Sequence, residues 1–293
     1  MKVEGVTRSK RAIEKVALRG GQHTRIGRTI GRILTTATIT TAALANISRV
    51  AGPVRDVVKS FALSPGARIA GKYEVVELLG RGWEGEVYKI RELRTDIEYA
   101  AKLFFPKRDP RQRSVVAYAR KLHRLRHCSM VIQYHNEEQI QVKGRSVTVL
   151  IAEFVDGVLL EDFIKRYPGK RLEPYMALHV LHALAKGMSE IHNLGEYHGD
   201  LHSENIIVVK HGLQFDLRLL DMSFWGRPKP EHLRYDTVEM VRVFYDALGG
   251  AKRYTRQPDT VKKICRGMKS NLILKNFKSA SQMVVYLEGL TWE

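Results

Sequence analysis

Cysteine is scarce in this chain. Cys128 and Cys265 are the only two among 293 residues, and neither sits in a CxxC pair or a His/Cys cluster at metal-ligand spacing. This argues against a disulfide scaffold or a zinc site and suits a reducing compartment. Long apolar runs are also missing. The uncharged stretch 33–47 is rich in Thr and Ala and stops at fifteen residues, short of the roughly 20 apolar residues a membrane span needs. Acidic residues are thin in two places. Residues 1–70 hold thirteen Lys/Arg against three Asp/Glu, a net +10 of the total +18, and no Asp or Glu occurs between Asp109 and Glu137. A field this positive attracts an anionic membrane surface, an acidic protein or nucleic acid, without choosing among them.

What is present divides the chain. Residues 1–68 read as a basic N-terminal extension, helical or partly disordered, and residues 69–293 as a folded domain. In the extension Arg25, Arg28 and Arg32 share one helical face opposite Ile26, Ile30, Ile33 and Leu34, which suits a membrane-surface or partner-binding helix as well as a segment packed on the domain. No RNA- or DNA-binding motif with interleaved aromatics accompanies it, so nucleic acid is not expected as a partner. Pro53 and then Ser64-Pro65-Gly66 punctuate the exit from this region.

From Tyr73 the pattern changes to short β-type runs. A strand over 73–79 leads into Gly80-Arg81-Gly82-Trp83-Glu84-Gly85-Glu86-Val87-Tyr88 and a second strand to Ile90. Glycines between two strands make a hairpin whose backbone can approach phosphate oxygens, unlike the strand-to-helix glycine turn of dinucleotide folds. The next strand, Tyr99-Ala100-Ala101-Lys102-Leu103-Phe104, sets one lysine in an apolar run. Such a lysine is costly unless it meets an anion, and a nucleotide phosphate would supply one. A buried strand over 147–154 runs into Glu153-Phe154-Val155-Asp156-Gly157.

In the second half, Ala177, Leu181, Leu184, Met188 and Ile191 follow a 4-3-4-3 spacing that predicts a helix with one buried stripe. It leads to His198-Gly199-Asp200-Leu201-His202-Ser203-Glu204-Asn205, a strand over 206–209, a turn at 210–212, a strand over 217–220, and Asp221-Met222-Ser223.

These motifs, in this order over about residues 70–290, resemble the protein-kinase-like superfamily: a G-x-G-x-x-G-x-V hairpin, a strand lysine, an H-x-D-x-x-x-x-N catalytic loop and the Asp of the D-F-G position. The resemblance implies an α+β, two-lobed protein-kinase-like fold, with a β-rich N-lobe at 69–155 and a mostly helical C-lobe at 156–293. It implies ATP and Mg2+ as cofactors. Asp200 and Lys102 would be catalytic, and Asn205 and Asp221 would hold metal. Gly80, Gly82, Gly85, Val87, Ala100, Lys102, Glu153, Val155 and Ile207 would line the nucleotide site. The expected reaction moves the γ-phosphate to a hydroxyl, with a protein Ser/Thr acceptor ahead of a small molecule and a cytoplasmic, or peripherally membrane-bound, setting.

The departures from the family pattern keep two alternatives open. His202 replaces the usual lysine, and His-Gly-Asp-Leu-His is similar to the aminoglycoside-phosphotransferase branch of small-molecule kinases, whereas Ser-Glu-Asn is closer to protein kinases. Gly199 stands where many regulated kinases carry an arginine that reads an activation-loop phosphate. No A-P-E follows Asp221, and about fifteen residues separate it from the next helix. The helix over 114–126 has no Glu to pair with Lys102, and Tyr118 occupies that position, which motivates a nucleotide-binding pseudokinase scaffold as the other alternative. Arg120, Lys121, Arg124 and Arg126 on the same helix read as a solvated basic face. Asp236, at the start of an apolar helix, is either an anchor for the catalytic loop or a helix N-cap.

Overall fold

The computed structural model describes residues 60–107, 113–142, 144–211 and 214–291. The expectations for 1–59, including the amphipathic basic helix and its membrane or acidic partner, lie outside the described residues. Among the described residues no helix is long and apolar enough to cross a membrane.

The N-terminal lobe is a six-stranded antiparallel sheet: β1 (Arg68–Ile69), β2 (Tyr73–Arg81), β3 (Gly85–Glu92), β4 (Glu98–Phe104), β5 (Tyr134–Val142) and β6 (Arg145–Glu153), in the order β1-β2-β3-β4-β6-β5. The strand alternation sorts its side chains into two faces. Tyr73, Val75, Tyr88, Ile90, Ala101, Leu103, Val149 and Ile151 close one small core with Phe61 and Phe105. Phe104, Leu150 and Ala152 face the other way, onto helix α1 (Arg113–Arg124). Residues 60–67 belong with this lobe, ahead of the position where the sequence reading starts the domain. Phe61 stacks on Phe105 at 5.1 Å, and its N–H and the Ser60 hydroxyl both donate to the buried Glu86 carboxylate.

The C-terminal lobe opens with β7 (Val158–Leu159) and α2 (Leu160–Lys165), followed by α3 (Pro174–Asn193), β8 (Ile206–His211), β9 (Gln214–Leu219), α4 (Pro230–Ala247), α5 (Asp259–Cys265), α6 (Ser270–Asn276) and α7 (Ala280–Glu288). β7, β8 and β9 form a three-stranded antiparallel sheet. Helix α3 buries the expected stripe of Ala177, Leu181, Leu184, Met188 and Ile191. It packs against α4 and α7. A second buried cluster runs without a break from the inner face of the sheet and α1, through Val131, into α3 and α4. The two lobes therefore share one core.

Three expectations need correction. Helix α4 starts at Pro230, not at Asp236: a proline in the first helical position has a φ already suited to the helix and no N–H to satisfy. The link after Asp221 is accordingly shorter than expected, residues 222–229. Of the four basic residues expected on a solvated face, Arg120, Arg124 and Arg126 are exposed, but Lys121 is turned inward and only 2% exposed. Strand β5 was not anticipated, because its Tyr-His-Asn-Glu-Glu-Gln start looks polar. It lies at the sheet edge with every second side chain exposed, where such a composition is tolerated.

Candidate active site

The glycine hairpin is where the sequence places it, with β2 and β3 paired antiparallel from Tyr73↔Glu92 to Arg81↔Glu86 and the register shifting between Val75 and Glu77 and between Leu78 and Gly80. Its glycines do different jobs. A Cβ on Gly85 would come 1.8 Å from the Leu103 carbonyl oxygen, so the close pairing of β3 with β4 requires a glycine there. Gly80 and Gly82 have no heavy atom within 4 Å of that position, which leaves their backbone approachable. Val87 pairs with Lys102 across β3 and β4, and Ala100 lies two residues before Lys102 on the same strand face. With Val155 beyond β6 and Ile207 on β8 they are half-buried. Glu153 turns its carboxylate to the Gln133 N–H at 3.1 Å, so its side chain braces the chain before β5.

Lys102 finds two carboxylates. Its Nζ lies 2.7 Å from Asp221 Oδ1 and 3.0 Å from Glu84 Oε2, and 5.7 Å from the centre of the Tyr118 ring. Burial works against the ammonium, but Asp221 and Glu84 outweigh it and hold the pKa above the ordinary lysine range. Glu84 was not foreseen as a partner. Its place between the second and third glycines was visible, but that a turn residue would reach the lysine of β4 was not. Tyr118, at the position of the missing Glu, does not pair with Lys102 as an acceptor. Its hydroxyl instead accepts the Asp221 N–H at 3.2 Å.

The catalytic-loop region is held from behind. Asp236, fully buried in the second turn of α4, accepts the His198 N–H at 2.7 Å and the Gly199 N–H at 2.8 Å, and meets His192 Nε2 at 3.2 Å. These contacts decide between the two readings of Asp236 in favour of the anchor. His198 Nε2 donates to the Leu220 carbonyl and its Nδ1 accepts the Asp200 N–H. That arrangement requires the neutral tautomer, and burial correspondingly lowers the His198 pKa, against the pull of Asp236 and Asp200. Gly199 adopts φ +84, and a Cβ there would meet Ser223 and the Tyr197 ring at about 3 Å. Strain and crowding both oppose a side chain at this position.

Asp200 and Asp221 remain about half exposed, and Asn205 lies between their backbones. Asn205 Nδ2 donates to the Asp200 carbonyl at 2.9 Å, and the Asn205 carbonyl accepts the Leu220 N–H. With its amide nitrogen so used, the side-chain oxygen of Asn205 is the atom left for a cation. Together with the Asp221 carboxylate it forms a hard oxygen pair, the donor chemistry that suits Mg2+ completed by phosphate oxygens. Burial pushes the Asp200 carboxyl upward, but His202, His198 and Asn205 together pull it below the usual range. His202 lies 3.8 Å from Asp200, whose hydrogen bond and charge raise the imidazole pKa. The loop thus presents an ionised carboxylate beside a cation-prone imidazole.

A two-lobed molecule with this strand order, a lysine on β4 joined to an aspartate after β9, and a loop anchored from α4 has the architecture of the protein-kinase-like phosphotransferases. The chain belongs to the protein kinase domain family, whose sequence profile matches residues 73–244. It is similar to a probable serine/threonine-protein kinase of Streptomyces coelicolor, SCO3848, at 27% identity over 148 residues, covering 50% of this chain and 22% of that protein. It is also similar to the cyclin-dependent kinase B1-1 of Arabidopsis thaliana, at 27% over 202 residues and 64% of each chain. Among solved structures, the kinase domain of Mycobacterium tuberculosis PknI aligns with a TM-score of 0.57 at 19% identity, covering 78% of this chain and 99% of that one. The chain spans about a fifth of the length of SCO3848 and 64% of the cyclin-dependent kinase.

Proposed function

We propose that this chain is an ATP- and Mg2+-dependent kinase that transfers the γ-phosphate to a hydroxyl, with a protein serine or threonine as the acceptor. The observation that carries the reading is the joining of Lys102 to Asp221 at 2.7 Å across the mouth where the Asp200–Asn205 loop also opens. Phosphoryl transfer asks for positive charge over the phosphates, hard oxygen ligands for the metal and a carboxylate at the acceptor oxygen, and little else. Lys102 supplies the first, Asn205 and Asp221 the second, and Asp200 the third. Bound Mg2+ would neutralise charge on the phosphate oxygens. Asp200, whose pKa its neighbours lower, orients the acceptor hydroxyl and takes its proton as the new P–O bond forms, while the bond from the γ-phosphorus to the β-phosphate oxygen breaks and ADP leaves. His202 accepts the Glu204 N–H on Nδ1 at 3.3 Å and turns Nε2 toward Asp200 at 3.8 Å, which supports the orientation of that carboxylate.

The similarity to proteins named as serine/threonine kinases supports a protein acceptor. His202 keeps a small-molecule acceptor as the second reading, because it is the residue that departs from the protein-kinase loop. Radiolabelled ATP turnover by the full chain tests both, with a generic protein acceptor and an aminoglycoside panel side by side. Asp200→Ala is expected to lower kcat about 100-fold or more while nucleotide affinity holds. Nucleotide binding without turnover of any acceptor by the wild type would establish a scaffold in place of a kinase.

A further inference from the structure

The helix that lacks a glutamate for Lys102 makes a different connection to the site. Tyr118 and Lys121, three residues apart on α1 and so on one face, both reach the segment that follows β9. Tyr118 Oη accepts the Asp221 N–H at 3.2 Å. Lys121 Nζ donates to the Ser223 carbonyl at 2.8 Å and to the Tyr197 carbonyl at 2.7 Å, and sits 3.8 Å from the centre of the Tyr197 ring. One turn further, Arg124 Nε donates to Glu196 at 2.6 Å.

We propose that Tyr118 and Lys121 are positioning residues: together they clasp the Asp221–Gly226 segment to α1, and through Asp221 they set the position of Lys102. The inference rests on the kinase reading above and names how that site is held.

The chemistry of the partners explains the residue types. A carbonyl needs a donor and an N–H needs an acceptor, so a carboxylate on α1 could not satisfy Ser223 and Tyr197, whereas an ammonium can. A lysine this deeply buried is costly unless its donors are used. The two carbonyls and the π face of Tyr197 use them, with the Glu196 carboxylate 3.9 Å away. Tyr197 in turn accepts the Trp225 N–H at 2.6 Å and donates to the Gly226 carbonyl at 3.2 Å, and the Ser223 N–H donates to the His198 carbonyl at 2.8 Å. The segment is therefore tied at Asp221, Ser223, Trp225 and Gly226, either to α1 or to the residues just before Asp200. An outward movement of α1 would break the Tyr118 and Lys121 bonds together and leave the ammonium unpaired in the core. Since Asp221 is also the carboxylate nearest Lys102, the missing helix Glu is replaced by a route that runs through the backbone of the metal-binding segment.

Hydrogen–deuterium exchange of residues 221–226 in the nucleotide-free full chain, alongside ATP turnover, tests the clasp. Lys121→Met and Tyr118→Phe are each compared with Val241→Ala, a core variant in α4 that lowers stability without touching the clasp. Lys121→Met is expected to speed exchange of the segment about tenfold or more and to lower kcat about tenfold or more. Val241→Ala, compared at equal distance below its melting temperature, should leave the segment's exchange unchanged. Should Lys121→Met fail to fold, Tyr118→Phe, which removes a single oxygen, decides the matter by faster exchange of the Asp221 amide. The clasp is overturned if segment exchange in these variants stays within about twofold of Val241→Ala. A wild type without turnover whose variants still release the segment would sink the kinase reading and leave the clasp standing.

Discussion

Glu84 is the residue at which the structure and the chemistry of the glycine hairpin pull in different directions. It sits at the tip of a loop built to approach phosphates, yet it is an anion paired with the lysine that those phosphates would engage. A nucleotide entering this cleft competes with Glu84 for Lys102. The glutamate is half exposed, so the pair is of the solvent-screened kind, with a strength of about 0.2–1 kcal/mol. Glu84→Gln keeps the size of the side chain and removes the competing charge. It is expected to lower the KM for ATP by about two- to fivefold and to leave kcat within about twofold, since Asp221 still holds Lys102. A steady-state titration of ATP checks this. An unchanged or raised KM would mean that Glu84 helps nucleotide binding. The opposite case is Gly199, where the residue's absence of a side chain is dictated locally: a positive φ and the nearness of Ser223 and Tyr197 leave no room for the arginine that other family members carry.

Among the elements, helix α4 shows how an anchor is built and why it was only half visible beforehand. Starting at Pro230, it carries Asp236 in its second turn, under the loop it supports. Asp236→Ala would leave the buried His198 and Gly199 N–H groups without their acceptor. The expected cost is about 3 kcal/mol, or a fall in Tm of roughly 6–12 °C for a chain this size, read by calorimetry. A shift smaller than about 2 °C would show that water replaces the carboxylate. The elements that were legible from the sequence are those with a strong period or a motif at a fixed distance: the β2–β3 hairpin, β4, α3 and the loop to Asn205. Helix α1 was legible as a helix, but its charge pattern misled. Four basic residues in seven positions look like a solvated face, and only tertiary packing turns Lys121 inward, because its partners are main-chain carbonyls that carry no sequence signature. Likewise the pairing of Lys102 with Glu84 and Asp221 joins residues 18 and 119 positions apart, and the sequence could mark the three as candidates without linking the loop glutamate to the lysine. Strand β5 stayed hidden because an edge strand need not look apolar.

At the scale of the whole molecule, Lys121 makes overall stability depend on pH in a direction unusual for a lysine. Burial pulls its pKa down to about 8 from an ordinary 10.5, although Glu196 and Asp236 push the other way and Arg124 adds to the fall. Below pH 8 the folded and unfolded chains both carry the proton, and the folded state bears the full cost of burying the charge. Between pH 8 and 10.5 the unfolded chain keeps the proton while the folded one has lost it, so unfolding takes up a proton and stability rises with pH. The two cysteines act in the opposite sense, increasingly from about pH 8 upward. Burial raises Cys128 to about 11 and Cys265 to about 12, so the unfolded thiols ionise first and favour unfolding. The unfolded thiols already ionise in part between pH 8 and 9, so the lysine is isolated by comparing the wild type with Lys121→Met, in which the thiols are the same. By urea unfolding, the stability of the wild type relative to Lys121→Met is expected to rise by about 1 kcal/mol across pH 8 to 9, about three-quarters of a pH unit of linkage for one proton. In Lys121→Met the same interval should be flat or falling. Equal slopes in the two proteins would mean that the Ser223 and Tyr197 carbonyls hold the ammonium charged well above pH 9. The clasp would then act through a fixed charge, and the joining of the two lobes would not weaken or strengthen across the alkaline range.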